Sequence, residues 1–218
     1  MPKFIDLSHL IQDGMITYQG LPGPKICDHL SREDSKQHYA EGTTFQIGKI
    51  EMVANTGTYI DAPFHRYKAG EDLSQLDTAS VANLDGVVFH ADAGTLAIQP
   101  DLFKGNEVRG KAVLIHTGWD RRWGTELYFK DHPYLTRASG EYLKSRGSAL
   151  VGIDSLNIDD NADGTRPAHT ILLGGGIPIV EHLCNLDALP HNRFIFFAVP
   201  APVKGMGSFQ VRSFGISE

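Results

Sequence analysis

Thiols are scarce: in 218 residues only Cys27 and Cys184 are cysteine. Two cysteines make neither a disulfide framework nor a thiolate metal cluster. No apolar run approaches the roughly 20 residues that span a bilayer. There is no excess of base either, with Lys and Arg numbering 20 against 26 Asp and Glu, for a formal net charge of −6. Without a basic stripe to release counterions, nucleic acid and anionic membrane surfaces are excluded as partners. The opening MPKFIDLSHL lacks the basic and apolar regions of a secretory signal, so a cytoplasmic location is expected. No repeat of 20–50 residues and no Pro/Ser-rich linker divides the chain, which reads as a single domain over residues 1–218. At 41% hydrophobic and 21% charged the composition is globular, and the chain is long enough to bury a core.

Short β-branched runs at 86–90 (GVVFH), 111–116 (KAVLIH), 149–153 (ALVGI) and 194–199 (FIFFAV) read as strands, and 49–54 (KIEMVA) alternates as a strand does. Residues 137–146 read as a helix stopped by Gly147. Residues 177–186 read as a second helix with Pro178 near its first position, where the missing N–H costs nothing. That reading puts Glu181 near a positive helix end, which favours its ionised form. The first 45 residues are loop-rich, with a polar arm or short helix over 27–42. Strands outnumber helices, which suggests an α/β or α+β class.

Ten histidines are the compositional oddity. His9, His29, His38, His90, His116, His132, His182 and His191 are scattered and read as surface or satisfied core residues. His65 and His169 sit in denser company. Residues 55–65 run N-T-G-T-Y-I-D-A-P-F-H. If this stretch is extended, Asn55, Gly57, Tyr59 and Asp61 share one face. Gly57 allows close approach of a backbone or ligand, and Pro63 holds Ala62 extended before His65 follows a turn. An amide, a phenol, a carboxylate and an imidazole are thereby aimed at a common space; Asp61 as a turn cap and Tyr59 as core are the plainer alternative. Residues 166–183 run R-P-A-H-T-I-L-L-G-G-G-I-P-I-V-E-H-L, with glycines 174–176 between His169 and Glu181. Asp, His and Glu are ligand types for a hard or borderline divalent cation. Neither GxxxxGK[ST] nor GxGxxG is present, so the glycines read as a tight helix entry and not as a phosphate cradle.

The 55–65 segment resembles the signature H-x-G-T-H-x-D-x-P-x-H of the cyclase family, which includes bacterial kynurenine formamidases and isatin hydrolases. Residues 4–9 (FIDLSH), 18–22 (YQGLP), Thr117-Gly118-Trp119, 152–159 (GIDSLNID), 202–204 (PVK) and Val211-Arg212 resemble further family elements in the same order. The resemblance implies a cyclase-like α/β fold of the swivelling β/β/α type: a mixed sheet and barrel-like core flanked by helices. It also implies a homodimer or homotetramer, with the first 45 residues as an arm exchanged between subunits. The implied activity is metal-dependent hydrolysis of an amide or lactam-like bond. In the family the first two signature histidines and the aspartate hold metal, and a later His and Glu complete a two-metal site. The last signature histidine serves as acid or base. Asp61, His65, His169 and Glu181 match those positions, whereas Asn55 and Tyr59 stand where the two ligand histidines belong.

An Asn amide oxygen is a weak neutral ligand, and a phenol of pKa about 10 binds Zn²⁺ well only as phenolate. The usual nitrogen-rich Zn²⁺ or Mn²⁺ site cannot be assembled from this set. A weaker site of Asp61, His169 and Glu181 with Tyr59 nearby, or no metal at all, are both left open. The first functional reading is a small-molecule hydrolase acting on a carbon–nitrogen bond. His65 would be its acid or base; Asp61 would orient His65 or hold the metal; Tyr59 would donate to a developing oxyanion. Asn55, Tyr18, Phe64 and Trp119, with Phe45, would line the substrate pocket. The alternatives are a metal-free cyclase, isomerase or dehydratase using His65 and Tyr59, and a non-catalytic ligand-binding member of the family. Kynurenine formamidase activity itself is not expected, because the family ties it to the two missing imidazoles.

Overall fold

The computed structural model describes residues 1–190 and 193–217; His191 lies outside them. The strands are β1 (Lys3–Asp6), β2 (Lys25–Leu30), β3 (Ile47–Glu51), β4 (Tyr59–Asp61), β5 (Leu84–His90), β6 (Ala97–Ile98), β7 (Ala112–His116), β8 (Tyr134–Leu135), β9 (Leu150–Ile153), β10 (Ile179–Glu181), β11 (Phe194–Phe197), β12 (Ser208–Gln210) and β13 (Phe214–Ser217). The α-helices are α1 (Arg32–Ser35), α2 (Arg137–Arg146) and α3 (Pro167–Leu173).

Nine strands form one mixed sheet in the order β1-β13-β11-β5-β7-β9-β10-β4-β12. The centre, β5-β7-β9-β10, is parallel, and both flanks are antiparallel. A parallel centre is covered on both faces, which is why its strands read as unbroken apolar runs. In β7, Ala112 and Leu114 enter one core with Ile60, Val180 and Phe196. Val113 and Ile115 enter the other, with Val151, Leu143 and Leu172. The chain leaving β1 reaches across the curled sheet: Leu7 N donates to Ser213 O (2.9 Å) and Leu7 O accepts from Cys184 N (3.0 Å), while Ser8 bridges Leu183. The result is a half barrel with few helices, the mixed cyclase-like α/β fold expected from the resemblance.

Helix α2 begins at Thr136, whose side chain accepts from Ser139 N, and ends at left-handed Gly147 (φ 75°). It packs on α3, where bare Gly140 lies against Ala168 and Ile171. The Thr117-Gly118-Trp119 turn is held by buried Asp154, which accepts from Thr117 N, Thr117 Oγ1 and Gly118 N; burial pushes this carboxyl up to about 7. No helix among the described residues is long and apolar enough to cross a membrane.

Three local readings are corrected. Residues 177–186 are not a helix: Ile179-Val180-Glu181 is strand β10, paired parallel to β9 and antiparallel to β4. Its β-branched pair is stiff and prefers the pleated surface, and Pro178 stands just outside, lending only its carbonyl to Val151 N (3.1 Å). Glu181 therefore owes nothing to a helix end. Glycines 174–176 close α3, with Gly174 as its C-cap, so they form a helix exit instead of an entry. The strand expected over 49–54 is observed only to Glu51, as the end of β3, which pairs with β2 in a separate exposed ribbon; within the loop-rich first 45 residues, 25–30 is thus a strand.

Candidate active site

Strand β4 supplies the first two groups. Ile60 points into a core, so Tyr59 and Asp61 share the opposite face. Pairing registers then decide their partners. Tyr59 faces Glu181 on β10, and its hydroxyl donates to Glu181 Oε2 at 2.5 Å. Asp61 faces Ser208 on β12, and the Ser208 hydroxyl donates to Asp61 Oδ1. His65 ends the 3-10 turn Pro63–His65 and brings Nδ1 within 2.7 Å of Ser208 Oγ. The Ser208 proton is committed to Asp61, so Ser208 Oγ accepts from His65 Nδ1–H. That tautomer leaves the lone pair on His65 Nε2, and the side chain is 37% exposed.

The fourth group comes from α3. Asp159, in the loop after β9, accepts from Ala168 N (2.6 Å), His169 N (3.1 Å) and His169 Nδ1 (2.7 Å). This fixes the ring so that His169 Nε2 faces Asp61 Oδ2 at 3.5 Å and Glu181 Oε1 at 3.8 Å. Burial alone would lower the His169 pKa, but Asp159, Asp61 and Glu181 together outweigh it and push it up to about 10. Burial raises the Glu181 carboxyl, against the pull of His169. Burial, followed by the Glu181 and Asp61 charges, drives the Tyr59 phenol well above its ordinary value. Tyr59 is therefore a phenol bound to Glu181 and not a phenolate ligand, and Asn55 approaches the same phenol oxygen.

A cation fits the remaining groups. Asp61 Oδ2 is buried and has no hydrogen-bond partner, an arrangement that normally calls for an ion or donor. Ligands on a tetrahedral Zn²⁺ at 2.0–2.1 Å lie about 3.4 Å apart, close to the separation of Asp61 Oδ2 from His169 Nε2. One ligand atom each from Asp61, His65 and His169 lies within 4.8 Å of the others. Glu181 Oε1, which also accepts from Ile158 N at 2.6 Å, stands beside them.

Above this centre lies a cavity of about 310 Å³ lined by Tyr18, Leu21, Asn55, Tyr59, His65, Arg66, Asn157, Arg166, His169 and Glu181. Of the expected aromatic wall only Tyr18 is present. Phe64 lines an adjoining groove with Met206 and Ser208. Phe45 is exposed and packs on Tyr39. Trp119 is buried beside Tyr128 and Leu156 and donates to Tyr128 O (2.9 Å). The extended run expected over 55–61 is only 59–61 long: Gly57 is left-handed (φ 68°), so Asn55 reaches the cavity from a turn. Ser208, Asp159, Asn157 and the two arginines were not singled out by sequence. Asp159 closes the 152–159 element and carried that much signal; Ser208 carried none.

Two stability predictions arise here. A Cβ on Gly207 would overlap the His65 backbone. Gly207→Ala should lower unfolding free energy by about 1–3 kcal/mol in a urea titration; an unchanged midpoint contradicts this packing. His182 is fully buried, and burial, with weaker repulsion from His9 and His132, lowers its pKa to about 3. Between the unfolded value near 6.5 and the folded one, only the unfolded chain takes up the proton. Stability from this residue is complete above pH 6.5 and falls as pH drops toward 3, by roughly 4 kcal/mol. Melting curves from pH 4 to 7 should show that slope, and it should flatten in His182→Phe; an equal slope in both proteins removes His182 as its source.

Known proteins give the same frame. The Cyclase family model matches residues 5–160. A kynurenine formamidase of Geobacillus thermodenitrificans is 31% identical over 98% of this chain and 97% of its own. The chain belongs to the cyclase family. Among solved structures, one described as a potential metal-dependent hydrolase with cyclase activity superposes with a TM-score of 0.82 at 23% identity, covering 100% of this chain and 99% of that one. An isatin hydrolase bound to the product analogue thioisatinate gives a TM-score of 0.82 at 21% identity, covering 99% and 92%.

Proposed function

We propose that this protein hydrolyses a carbon–nitrogen bond of a small cyclic amide or formamide, using one divalent cation where the resemblance in sequence implies a two-metal site. The observation that carries the reading is the buried Asp61 Oδ2, which accepts no hydrogen bond and faces His169 Nε2 at 3.5 Å, while the Tyr59 phenol occupies Glu181 Oε2. The kynurenine formamidase and isatin hydrolase relatives support the reaction class. Asp61 and His169 hold the cation, with Glu181 Oε1 flanking; N/O donors of this kind suit Zn²⁺ or Mn²⁺. When bound, the cation supplies a Lewis acid for the scissile carbonyl.

The chain's own groups do the proton work. Asp61 Oδ1 fixes Ser208, and Ser208 fixes the His65 tautomer. His65 Nε2 takes a proton from the attacking water and delivers one to the leaving nitrogen. Asp159 holds His169 in place, a partner of the kind whose loss costs about 10–100-fold in metal affinity. Tyr59 does not also donate to an oxyanion in this reading, since its single O–H is given to Glu181 Oε2. The exposed Ile26, Ile47 and Ile50 of the β2–β3 ribbon support a homo-oligomer in the same reading.

The test is turnover of isatin, N-formylkynurenine and simple aryl formamides by protein stripped with chelator and reloaded with Zn²⁺ or Mn²⁺. Activity that returns with about one cation per chain supports the proposal. Full activity in stripped protein supports metal-free chemistry instead, for which the raised His169 pKa supplies an imidazolium beside Asp61. Ligand binding without turnover in any state would indicate the non-catalytic alternative.

A further inference from the structure

The cavity floor is acidic, with Asp61, Glu181 and Asp159 buried beneath it, yet its rim is basic. Arg66 and Arg166 both line it. Among the described residues the ion-paired arginines are Arg121, Arg193 and Arg212, and neither rim arginine forms an ion pair. Arg66 is exposed and its Nε donates to Thr170 Oγ1 at 3.2 Å. Arg166 is half-buried and more firmly set: Nη1 donates to Asn157 Oδ1 (3.2 Å) and Asn161 Oδ1 (2.8 Å), and Asn161 Oδ1 also accepts from the Tyr18 hydroxyl (2.8 Å). Neutral amide oxygens orient the guanidinium without neutralising it, and they engage only one of its three nitrogens, Nη1.

The backbone points the same way. Arg166 is left-handed (φ 47°, ψ 63°) immediately before Pro167 opens α3. That conformation favours Gly or Asn and disfavours a long side chain, and such strain gathers at ligand clamps. The chain places a guanidinium at the one position before α3 where a glycine would fold more easily.

We infer that the substrate carries a carboxylate, which Arg166 binds at the cavity rim while the scissile carbon–nitrogen bond lies over Asp61 and His169. This rests on the hydrolase reading above but concerns binding and can fail separately. Arg166 is a specificity residue, with Arg66, held on Thr170 of the same α3 turn, adding charge at the rim. A planar guanidinium with free N–H donors matches a carboxylate in two-point geometry, and a cavity of about 310 Å³ suits a small aromatic or cyclic acid.

The test uses aryl formamides bearing a carboxylate on tethers of zero to three carbons, each paired with its methyl amide. Turnover and calorimetric binding are measured on wild type, Arg166→Gln and Arg166→Lys. For at least one tether the acid should bind wild type about 10- to 100-fold more tightly than its amide. The preference should appear in KM more than in kcat, vanish in Arg166→Gln and return in part in Arg166→Lys, with the amides changed much less than the acids. Equal binding of acid and amide to wild type overturns the inference, as does an equal loss for both partners in Arg166→Gln. Acids that bind through Arg166 without turnover would keep it while removing the hydrolase reading; amides turned over with no acid preference would do the reverse.

Discussion

Asp61→Asn is expected to abolish tight Zn²⁺ or Mn²⁺ binding and to lower kcat/KM by about 10³-fold or more. Both oxygens of Asp61 are engaged, Oδ1 by Ser208 and through it His65, Oδ2 facing His169. An amide keeps the shape but turns one acceptor into a donor and removes the charge. Whichever way it flips, either the Ser208 relay or the cation face is lost. The substitution is nearly isosteric, so the melting temperature should change far less than the activity. Metal titration by calorimetry and steady-state kinetics check both halves. Retained cation affinity would place the cation elsewhere.

The second large effect is a gain. Replacing Asn55 and Tyr59 together by histidine should raise the bound cation from about one to about two per chain. Tyr59 now sits 2.5 Å from Glu181 Oε2, and its phenol stays protonated because it is buried against two carboxylates. It therefore blocks a carboxylate oxygen without offering an anionic ligand. Imidazoles at the two positions release that oxygen and supply neutral nitrogen donors. Elemental analysis of the double variant, dialysed beside wild type, reads the stoichiometry directly. An unchanged ratio would mean that the register of β4 and β10, and not the phenol, forbids a second ion.

How much of this could be seen in the chain alone varies by element. Residues 137–146 were legible because Gly147 stops the helix, a local signal. Residues 177–181 were not, since Pro178 followed by apolar residues fits a helix start as well as a strand approach. The choice was made by pairing with β9 and β4, which lie far off in sequence. At the site, Asp61, His65, His169 and Glu181 stood out by residue type and by the signature they resemble. Ser208 was invisible, because its role comes only from its register opposite Asp61. Trp119 misled for the opposite reason: an aromatic in a matching motif is here a packing residue whose indole N–H is spent on Tyr128 O.

Anomalous diffraction at the zinc edge from crystals grown with Zn²⁺ decides the central matter. A single strong peak bonded to Asp61 Oδ2 and His169 Nε2, with the Tyr59 hydroxyl still on Glu181, is the predicted map. Two peaks at this centre, or one peak that leaves Asp61 Oδ2 without a partner, would contradict it.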